Sequence, residues 1–187
     1  MSASKRDELI QKALNIFYRD GFHATGMDKI VKETGISKTS MYKHFRTKDD
    51  LIIATLRLRD ELFRNQIFRR VEELGKTPKD QLLALFDVLD EWINGVEFNG
   101  CMFIKASGEY PLHSSPIHAT AAEHKKLFLG FMLDIATQAG AKNPNELAEQ
   151  LLLLKEGAIV TAHIRGPEGV IAPARAAAAL LIDAQID

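Results

Sequence analysis

The spacing of apolar residues is the feature that most restricts the fold of this chain. Along the 187 residues, apolar side chains recur every three or four positions, which is the period of a helix that buries one face. No stretch alternates apolar and polar residues with the two-residue period of a strand. The sequence therefore predicts an all-α protein.

Capping residues, prolines and glycines divide this pattern into segments. Ser4 and Thr47, each followed three residues later by Asp, resemble capping boxes. The predicted helices run from Ser4 to Gly21, over 27–34 and 38–45, from Thr47 to about 74, and from Pro78 to about 95, with one short helix within 98–116 and three more over 116–138, 145–164 and 173–186. Three short helices before a long one predict a helix-turn-helix domain over 1–48, joined by the long helix to a C-terminal domain over 49–187.

Charge is distributed unevenly along the chain. Residues 1–70 hold 15 Lys and Arg against 9 Asp and Glu, whereas the remainder holds 9 against 16. The N-terminal third could therefore bind a polyanion, and the rest would not. The one cysteine, Cys101, excludes an internal disulfide and suits a reducing compartment. Since we also find no signal peptide and no apolar run approaching the roughly 18 residues of a membrane span, we expect a cytoplasmic protein with no membrane partner.

The segments 27–34 and 38–45, joined by the turn at 35–37, have the proportions of a helix-turn-helix. Their apolar residues would pack on the first helix. The second helix then presents hydroxyl and ammonium donors outward, as a helix does in the major groove of DNA. The alternative is a solvated helix face, but this face is richer in hydroxyl and aromatic groups than an inert Glu/Lys surface. The outward residues are Lys38, Thr39, Ser40, Tyr42 and Lys43.

The stretch FYRDGFHATGMDKIVKETGISKTSMYKHFRTKDDLI resembles the DNA-binding domain of TetR-type transcriptional regulators. The resemblance implies contacts with the DNA backbone from Thr25, Met27, Tyr42, His44 and Lys48, and base reading from Lys38, Thr39, Ser40 and Lys43. Gly26 would let the backbone approach DNA closely, and Thr25 would supply a cap and a hydroxyl. His44 and Lys48 could instead be packing and capping residues. Thr39, Lys43 and Gly26 depart from the residues common in the family.

Residues 86–131 are rich in aromatic side chains, with polar groups between them. An apolar cavity with a few polar groups is typical of a small-molecule site, and the alternative is an aromatic core with histidines at the surface. The candidate pocket residues are Phe86, Trp92, Phe98, Cys101, Phe103, Tyr110, His113, His118, Phe128 and Phe131. A metal site at His113, His118, Glu123 and His124 is disfavoured by their spacing. We expect no metal, no cofactor and no enzymatic activity, since no catalytic motif is found.

Cys101 has two interpretations. Lone cysteines are most often small buried apolar residues, yet Cys101 could also sense oxidants or electrophiles, aided by Lys105 one turn on. The Gly-Cys pair at 100–101 is similar to one found in many TetR-type regulators, and a few of them sense such compounds through it.

The last two helices indicate a partner chain. Leucines surround one turn at 151–154, and the final helix is rich in alanine, which permits close helix packing. The alternative is a central core helix, but the family resemblance implies dimerisation through a four-helix bundle. The candidate interface residues are Leu151, Leu154, Ala158, Ala177, Ala178 and Leu181. A two-fold dimer would read a palindromic operator in double-stranded DNA.

Together these features predict a homodimeric, ligand-responsive transcriptional regulator. We expect a repressor that a small-molecule effector releases from its operator. Two alternatives remain: a regulator that senses electrophiles or oxidants through Cys101, and a helical enzyme or small-molecule binding protein without specific DNA binding.

Overall fold

The computed structural model describes residues 4–186, which form α-helices with no strand among them. The all-α prediction is confirmed. The helices are α1 (Lys5–Asp20), α2 (Met27–Thr34), α3 (Lys38–His44), α4 (Lys48–Leu74), α5 (Pro78–Ile93), α6 (Met102–Glu109), α7 (Pro116–Gln138), α8 (Pro144–Arg165) and α9 (Ile171–Gln185).

Short local signals set most helix ends. At the start of α4, the Thr47 and Asp50 side chains each accept the other residue's backbone N–H, at 3.1 and 3.0 Å. The predicted starts of the last two helices were one and two residues late. Asn143 caps α8 through the backbone N–H of Glu146, which allows Pro144 to be the first helical residue. In α9, Pro173 lies in the first turn, where no intrahelical N–H bond is required.

The described chain divides into two compact units. The first comprises residues 4–63 with Met102–His124, and the second comprises Arg64–Cys101 with residues 125–186. This grouping differs from the predicted domain boundary at residue 48, because α6 and the start of α7 belong to the first unit. The division into 1–48 and 49–187 stays a prediction.

The first unit is built around large apolar side chains of α1 to α4. Phe17, Phe22, Ile30 and Met41 have no exposed surface, and α1 contacts both α2 and α3. The Lys12 ammonium donates to the carbonyl of Thr34 at 3.1 Å, which ties α1 to the end of α2. The helix-turn-helix therefore has an apolar base.

The second unit is centred on α5, α8 and α9, which pack together. Phe86 and Leu89 of α5 are fully buried, as are Leu151 of α8 and Ala178 of α9. Near the surface, the Arg175 guanidinium of α9 pairs with the Asp87 carboxylate of α5 at 2.7 Å. The two C-terminal helices thus share one core with α5. No helix in the described range 4–186 is long and apolar enough to cross a membrane.

Candidate nucleic-acid interface

The turn between α2 and α3 depends on one glycine and one buried threonine. Gly35 has φ 71°, the left-handed conformation that glycine adopts without a steric penalty. The Thr34 hydroxyl donates to the carbonyl of Ile30 at 2.7 Å and accepts from the backbone N–H of Ile36 at 3.2 Å. The Ser37 side chain then accepts the N–H of Ser40 and caps α3. These contacts fix the angle at which α3 leaves the turn.

The helix α3 separates its apolar and polar side chains completely. Met41 has no exposed surface and Phe45, at its C-cap, is 4% exposed. The other side chains point outward: Tyr42 is 47% exposed, and Lys38, Thr39, Lys43 and His44 are exposed as well, with Ser40 partly so. The sequence prediction of an outward face of hydroxyls and cations matches this arrangement.

Lys38 has a partner within the unit. Its ammonium donates to the Asp28 carboxylate of α2 at 2.8 Å, and this hydrogen bond raises the pKa of Lys38. Both side chains are exposed, so the pair is open to competition from a phosphate or a base. Lys38 on the face of α3 is therefore already paired with the Asp28 carboxylate.

Thr25 does not have the accessibility that a contact with DNA needs. It is completely buried, its hydroxyl has no hydrogen-bond partner, and its N–H donates to the carbonyl of Phe22. Gly26, and not Thr25, is the N-cap of α2, and no side chain caps that end. The predicted cap and hydroxyl from Thr25 are therefore corrected, because the side chain packs inward. Gly26 is exposed and Met27 partly so.

His44 at the end of α3 and Lys48 at the start of α4 differ in their surroundings. Lys48 is half-buried, and its ammonium donates to the carbonyl of Phe22 at 3.0 Å, which ties the start of α4 to the turn after α1. This favours the packing role over a free phosphate contact, although the ammonium retains further N–H groups. His44 is exposed and remains available to DNA.

The structure adds a contact that sequence reasoning missed. The Glu109 carboxylate at the end of α6 accepts the backbone N–H groups of Phe22 and His23, and the His23 ring stacks on Tyr110 at 4.7 Å. Gly21 has φ 83°, and a Cβ there would lie 2.9 Å from a Glu109 carboxylate oxygen. Lys105 of α6 donates to the carbonyl of Tyr18 in α1. No local signal could reveal these contacts, because the partners lie 86 or 87 residues apart.

The predicted pocket residues fall into both units. The second unit contains six of them, and the Phe68 ring stacks on Phe131 at 3.6 Å and meets Phe128 edge-on at 5.5 Å. Trp92 and Phe98 meet edge-on at 5.0 Å. Phe86 and Phe128 are fully buried, which is the core role that the sequence left open. The six residues of the second unit are Phe86, Trp92, Phe98, Cys101, Phe128 and Phe131.

The other four pocket candidates, Phe103, Tyr110, His113 and His118, lie in the first unit. Phe103 is buried and stacks on His124 at 3.6 Å. His118 contacts the carbonyl of Tyr110 through Nδ1, and His113 is exposed. Within residues 4–186, no three His, Cys, Asp or Glu side chains are placed to hold a metal ion.

A group of charges in the second unit is centred on a buried lysine. The Lys155 side chain is 1% exposed, its ammonium donates to Glu156 at 2.6 Å, and it lies 4.2 Å from the centre of the Phe128 ring. Burial lowers the pKa of Lys155, and Lys125 lowers it further. Burial alone would raise the pKa of Glu156, but attraction to both lysines outweighs this effect and the pKa is lowered. The Lys125 ammonium also contacts the Cys101 sulfur at 3.4 Å.

Three of the six predicted interface residues are buried in the core of the second unit. Leu151 and Ala178 have no exposed surface and Ala158 is 5% exposed, since these side chains face the core shared by α5, α8 and α9. They are therefore corrected to core residues. Leu154, Ala177 and Leu181 are partly exposed. The strongly exposed apolar side chains of α8 and α9 are others: Leu153 at 72%, Ile164 at 77% and Leu180 at 75%.

Comparisons with known proteins agree with this geometry. The family model described as "Bacterial regulatory proteins, tetR family" matches residues 9–55, which contain the helix-turn-helix. The HTH-type transcriptional regulator YjdC of Escherichia coli is 24% identical over 157 residues, which are 83% of this chain and 81% of YjdC. The HTH-type transcriptional repressor KstR2 of Mycolicibacterium smegmatis is 34% identical over 85 residues, which are 45% of this chain and 40% of KstR2.

A solved structure extends the similarity to the whole fold. The TetR-family transcriptional regulator SCO4454 of Streptomyces coelicolor superposes with a TM-score of 0.90 at 27% identity, covering 97% of this chain and 96% of that one. These relatives are regulators of transcription, which confirms the expectation of a regulator in place of an enzyme. Residues 9–55 therefore match the TetR family of regulatory proteins, and the whole chain is similar in sequence and fold to helix-turn-helix transcriptional regulators.

Proposed function

We propose that this protein is a homodimeric repressor that binds a palindromic operator and leaves it when a small-molecule effector binds. The observation that carries the proposal is the outward face of α3, where Thr39, Tyr42 and Lys43 are exposed while Met41 and Phe45 are buried. Such a helix can enter the major groove without disturbing its own packing. The likeness to KstR2, which is named as a repressor, supports the direction of regulation.

Two apolar helix faces support the homodimer. On α8, Leu153, Gly157, Val160 and Ile164 follow each other at steps of four, three and four residues, and all are exposed. These steps keep one face of a helix toward one side. On α9, Ala176, Leu180 and Ala184 form a matching exposed row. We propose these residues, with the partly exposed Leu154, Ala177 and Leu181, as the interface with a second copy.

The effector site is proposed for the part of the chain after residue 48. The charges at Lys125, Lys155 and Glu156 support it, because burying the Lys155 ammonium costs free energy and groups with shifted pKa values cluster at functional sites. Aromatic rings around Phe128 would contribute an apolar surface. The effector would favour a spacing of the two DNA-binding domains that no longer fits the operator, and α4 would transmit the change. A ligand shifts this equilibrium only through its different affinity for the two spacings.

Operator binding tests the proposal directly. Fluorescence anisotropy with a labelled duplex from the region upstream of the protein's own gene should show saturable binding of two chains per duplex. The affinity should fall steeply with salt, because counterions are released from the phosphates. A duplex of shuffled sequence is the matched control. Equal affinity for both duplexes would contradict the proposed operator recognition, and unchanged transcription in vitro would contradict repression.

The contact between Lys125 and Cys101 favours one second candidate, a regulator that responds to electrophiles. The Lys125 ammonium, 3.4 Å from the sulfur, would stabilise the thiolate that reacts. Alkylation by N-ethylmaleimide should then release the operator duplex, and Cys101→Ser should remain bound under the same treatment. Release of the Cys101→Ser variant by the reagent would exclude this candidate.

A further inference from the structure

We propose that a groove between α4 and α7 in the first unit binds a small zwitterion, an α-amino acid with an apolar side chain. The groove has a volume of about 420 Å³, within the range of small-molecule sites. All of its lining residues belong to the first unit, and none is among the predicted pocket residues. The residues that carry the argument are Ile53, Arg57, Asp60, Ala119, Glu123 and His124.

A buried histidine forms a fixed wall of this groove. The His124 side chain is 2% exposed, and its Nδ1 lies 2.7 Å from a carboxylate oxygen of Asp60 on α4. Its ring stacks on Phe103 of α6 at 3.6 Å with an angle of 7° between the planes. His124 is therefore held by α4 and α6 while it projects from α7. The wall is preorganised, so a ligand does not have to order it on binding.

Two opposite charges face this groove without partners. Arg57 and Glu123 are exposed, and neither forms an ion pair, a side-chain hydrogen bond or a ring contact with any residue in the described part of the chain. The other arginines of α4 do have partners: Arg70 pairs with Glu91 and Arg69 with Glu73, and Arg59 lies over the Tyr18 ring. Arg57 therefore differs from these arginines of the same helix in having no side-chain partner among the described residues.

The two charges line the groove from different helices, Arg57 from α4 and Glu123 from α7. Asp60 and His124, which also line the groove, are joined to each other by a hydrogen bond. A molecule that carries both a carboxylate and an ammonium can pair with both charges at once. The guanidinium suits a carboxylate, which it can bind with two parallel hydrogen bonds.

The apolar surface of the groove favours a ligand with an apolar side chain. Ile53 and Ala119 contribute apolar surface, which an apolar side chain would cover. A ligand with one charge would bring either Arg57 or Glu123 into a drier site without a partner, and an unpaired polar group loses free energy when it is desolvated. The groove should therefore prefer the zwitterion to either of its singly charged analogues.

Isothermal titration calorimetry on the full chain, without DNA, tests the proposal. The zwitterionic probes are L-alanine, L-leucine and L-phenylalanine. The single-charge analogues of phenylalanine are 2-phenylethylamine and 3-phenylpropionate. We expect at least one zwitterion to bind, and phenylalanine to bind about tenfold or more tightly than both analogues. The proposal is overturned if no zwitterion binds below about 10 mM or if both analogues bind as tightly as phenylalanine.

Two variants assign the binding to this groove. Arg57→Ala should weaken the binding zwitterion about tenfold while the affinity for 2-phenylethylamine stays unchanged, and Glu123→Gln should weaken it without an effect on 3-phenylpropionate. Arg69→Ala on α4 and Glu72→Gln on the same helix are the matched controls and should bind as the wild type does. Equal losses in the controls, or none in the variants, would place the ligand elsewhere and overturn the proposal. Because these measurements contain no DNA, their failure is separate from a failure of operator binding.

Discussion

The outward face of α3 and the outward faces of α8 and α9 are both exposed in the single chain, yet their chemistry is opposite. The α3 face carries Thr39, Tyr42 and Lys43, whereas α8 and α9 expose Leu153, Ile164 and Leu180. Donors and cations match the phosphates and base edges of a duplex. Apolar side chains that lie at 72 to 77% exposure match another apolar surface, which a second copy of the chain would supply in the proposed two-fold dimer.

An exposed side chain indicates a partner only when its chemical type is considered together with its exposure. The affinity for DNA and the affinity for a second copy should also differ in their dependence on salt. Contacts of α3 should depend on salt, and contacts of α8 and α9 should not, because apolar burial involves no counterion release.

The largest effect is expected from a charge on the apolar face. Leu153→Asp should turn the dimer into a monomer and lower operator affinity at least about 100-fold, because an unpaired carboxylate would be buried at the interface and half of the operator contacts would be lost. Light scattering after size exclusion measures the mass. Val96→Asp, at a fully exposed position in the same unit, should remain dimeric. If the Leu153→Asp variant remained a dimer, the proposed location of the interface on α8 would be wrong.

Substitutions on the α3 face are expected to cause a smaller loss of operator affinity. Tyr42→Ala and Lys43→Ala should each lower operator affinity about tenfold, in the range of 1–3 kcal/mol for a good contact. Lys43→Ala should also reduce the dependence of affinity on salt if the ammonium contacts a phosphate. The matched control is Lys126→Ala, an exposed lysine of the second unit. Dimer mass should be unchanged in all three variants, and a monomeric Tyr42→Ala would break the proposed division of roles.

Thr39 tests whether α3 reads sequence. Thr39→Ala should change the order of preference among operator variants, with differences of a few-fold, because the threonine methyl and hydroxyl would contact a base edge. Competition binding with duplexes that differ by one base pair measures this order. An equal loss on every duplex would assign Thr39 to the DNA backbone.

The smallest effect is expected at the pair between Lys38 and Asp28. Asp28→Asn should raise operator affinity about two- to fivefold, because it removes an acid from the DNA-facing side and releases the Lys38 ammonium. The pKa of Lys38, which the Asp28 hydrogen bond raises, should fall towards its ordinary value, and NMR titration can follow it. A lower affinity would mean that Asp28 positions Lys38 for the contact.

The helix-turn-helix could be predicted closely because its signals are local. Gly35 and Ser37 mark the turn and the cap within three residues of each other, and Met41 and Phe45 show the buried side of α3 by their spacing. Thr25 could not be predicted in the same way. Whether a threonine at the start of a helix points to solvent or into the core depends on what packs above it.

The proposed dimer face on α8 illustrates the same limit. Leu151, Leu153 and Leu154 lie in one run of leucines, and a run that surrounds a helix shows that several sides are apolar without showing which side faces the core. The packing of α8 against α5 and α9 decided this, so Leu151 is buried and Leu153 is exposed.

Periodicity, caps and short motifs along the chain were enough to predict the helical class, the helix-turn-helix segment and the likeness to a family of regulators, because each of these depends on residues close together in the sequence. Only the tertiary structure decided that Glu109 holds the turn after α1, that Lys48 donates to the Phe22 carbonyl, and that His124 joins Asp60 beside a charged groove. The partners in these contacts lie 26 to 87 residues apart. Their meeting depends on how whole helices pack, which no local pattern of residues records.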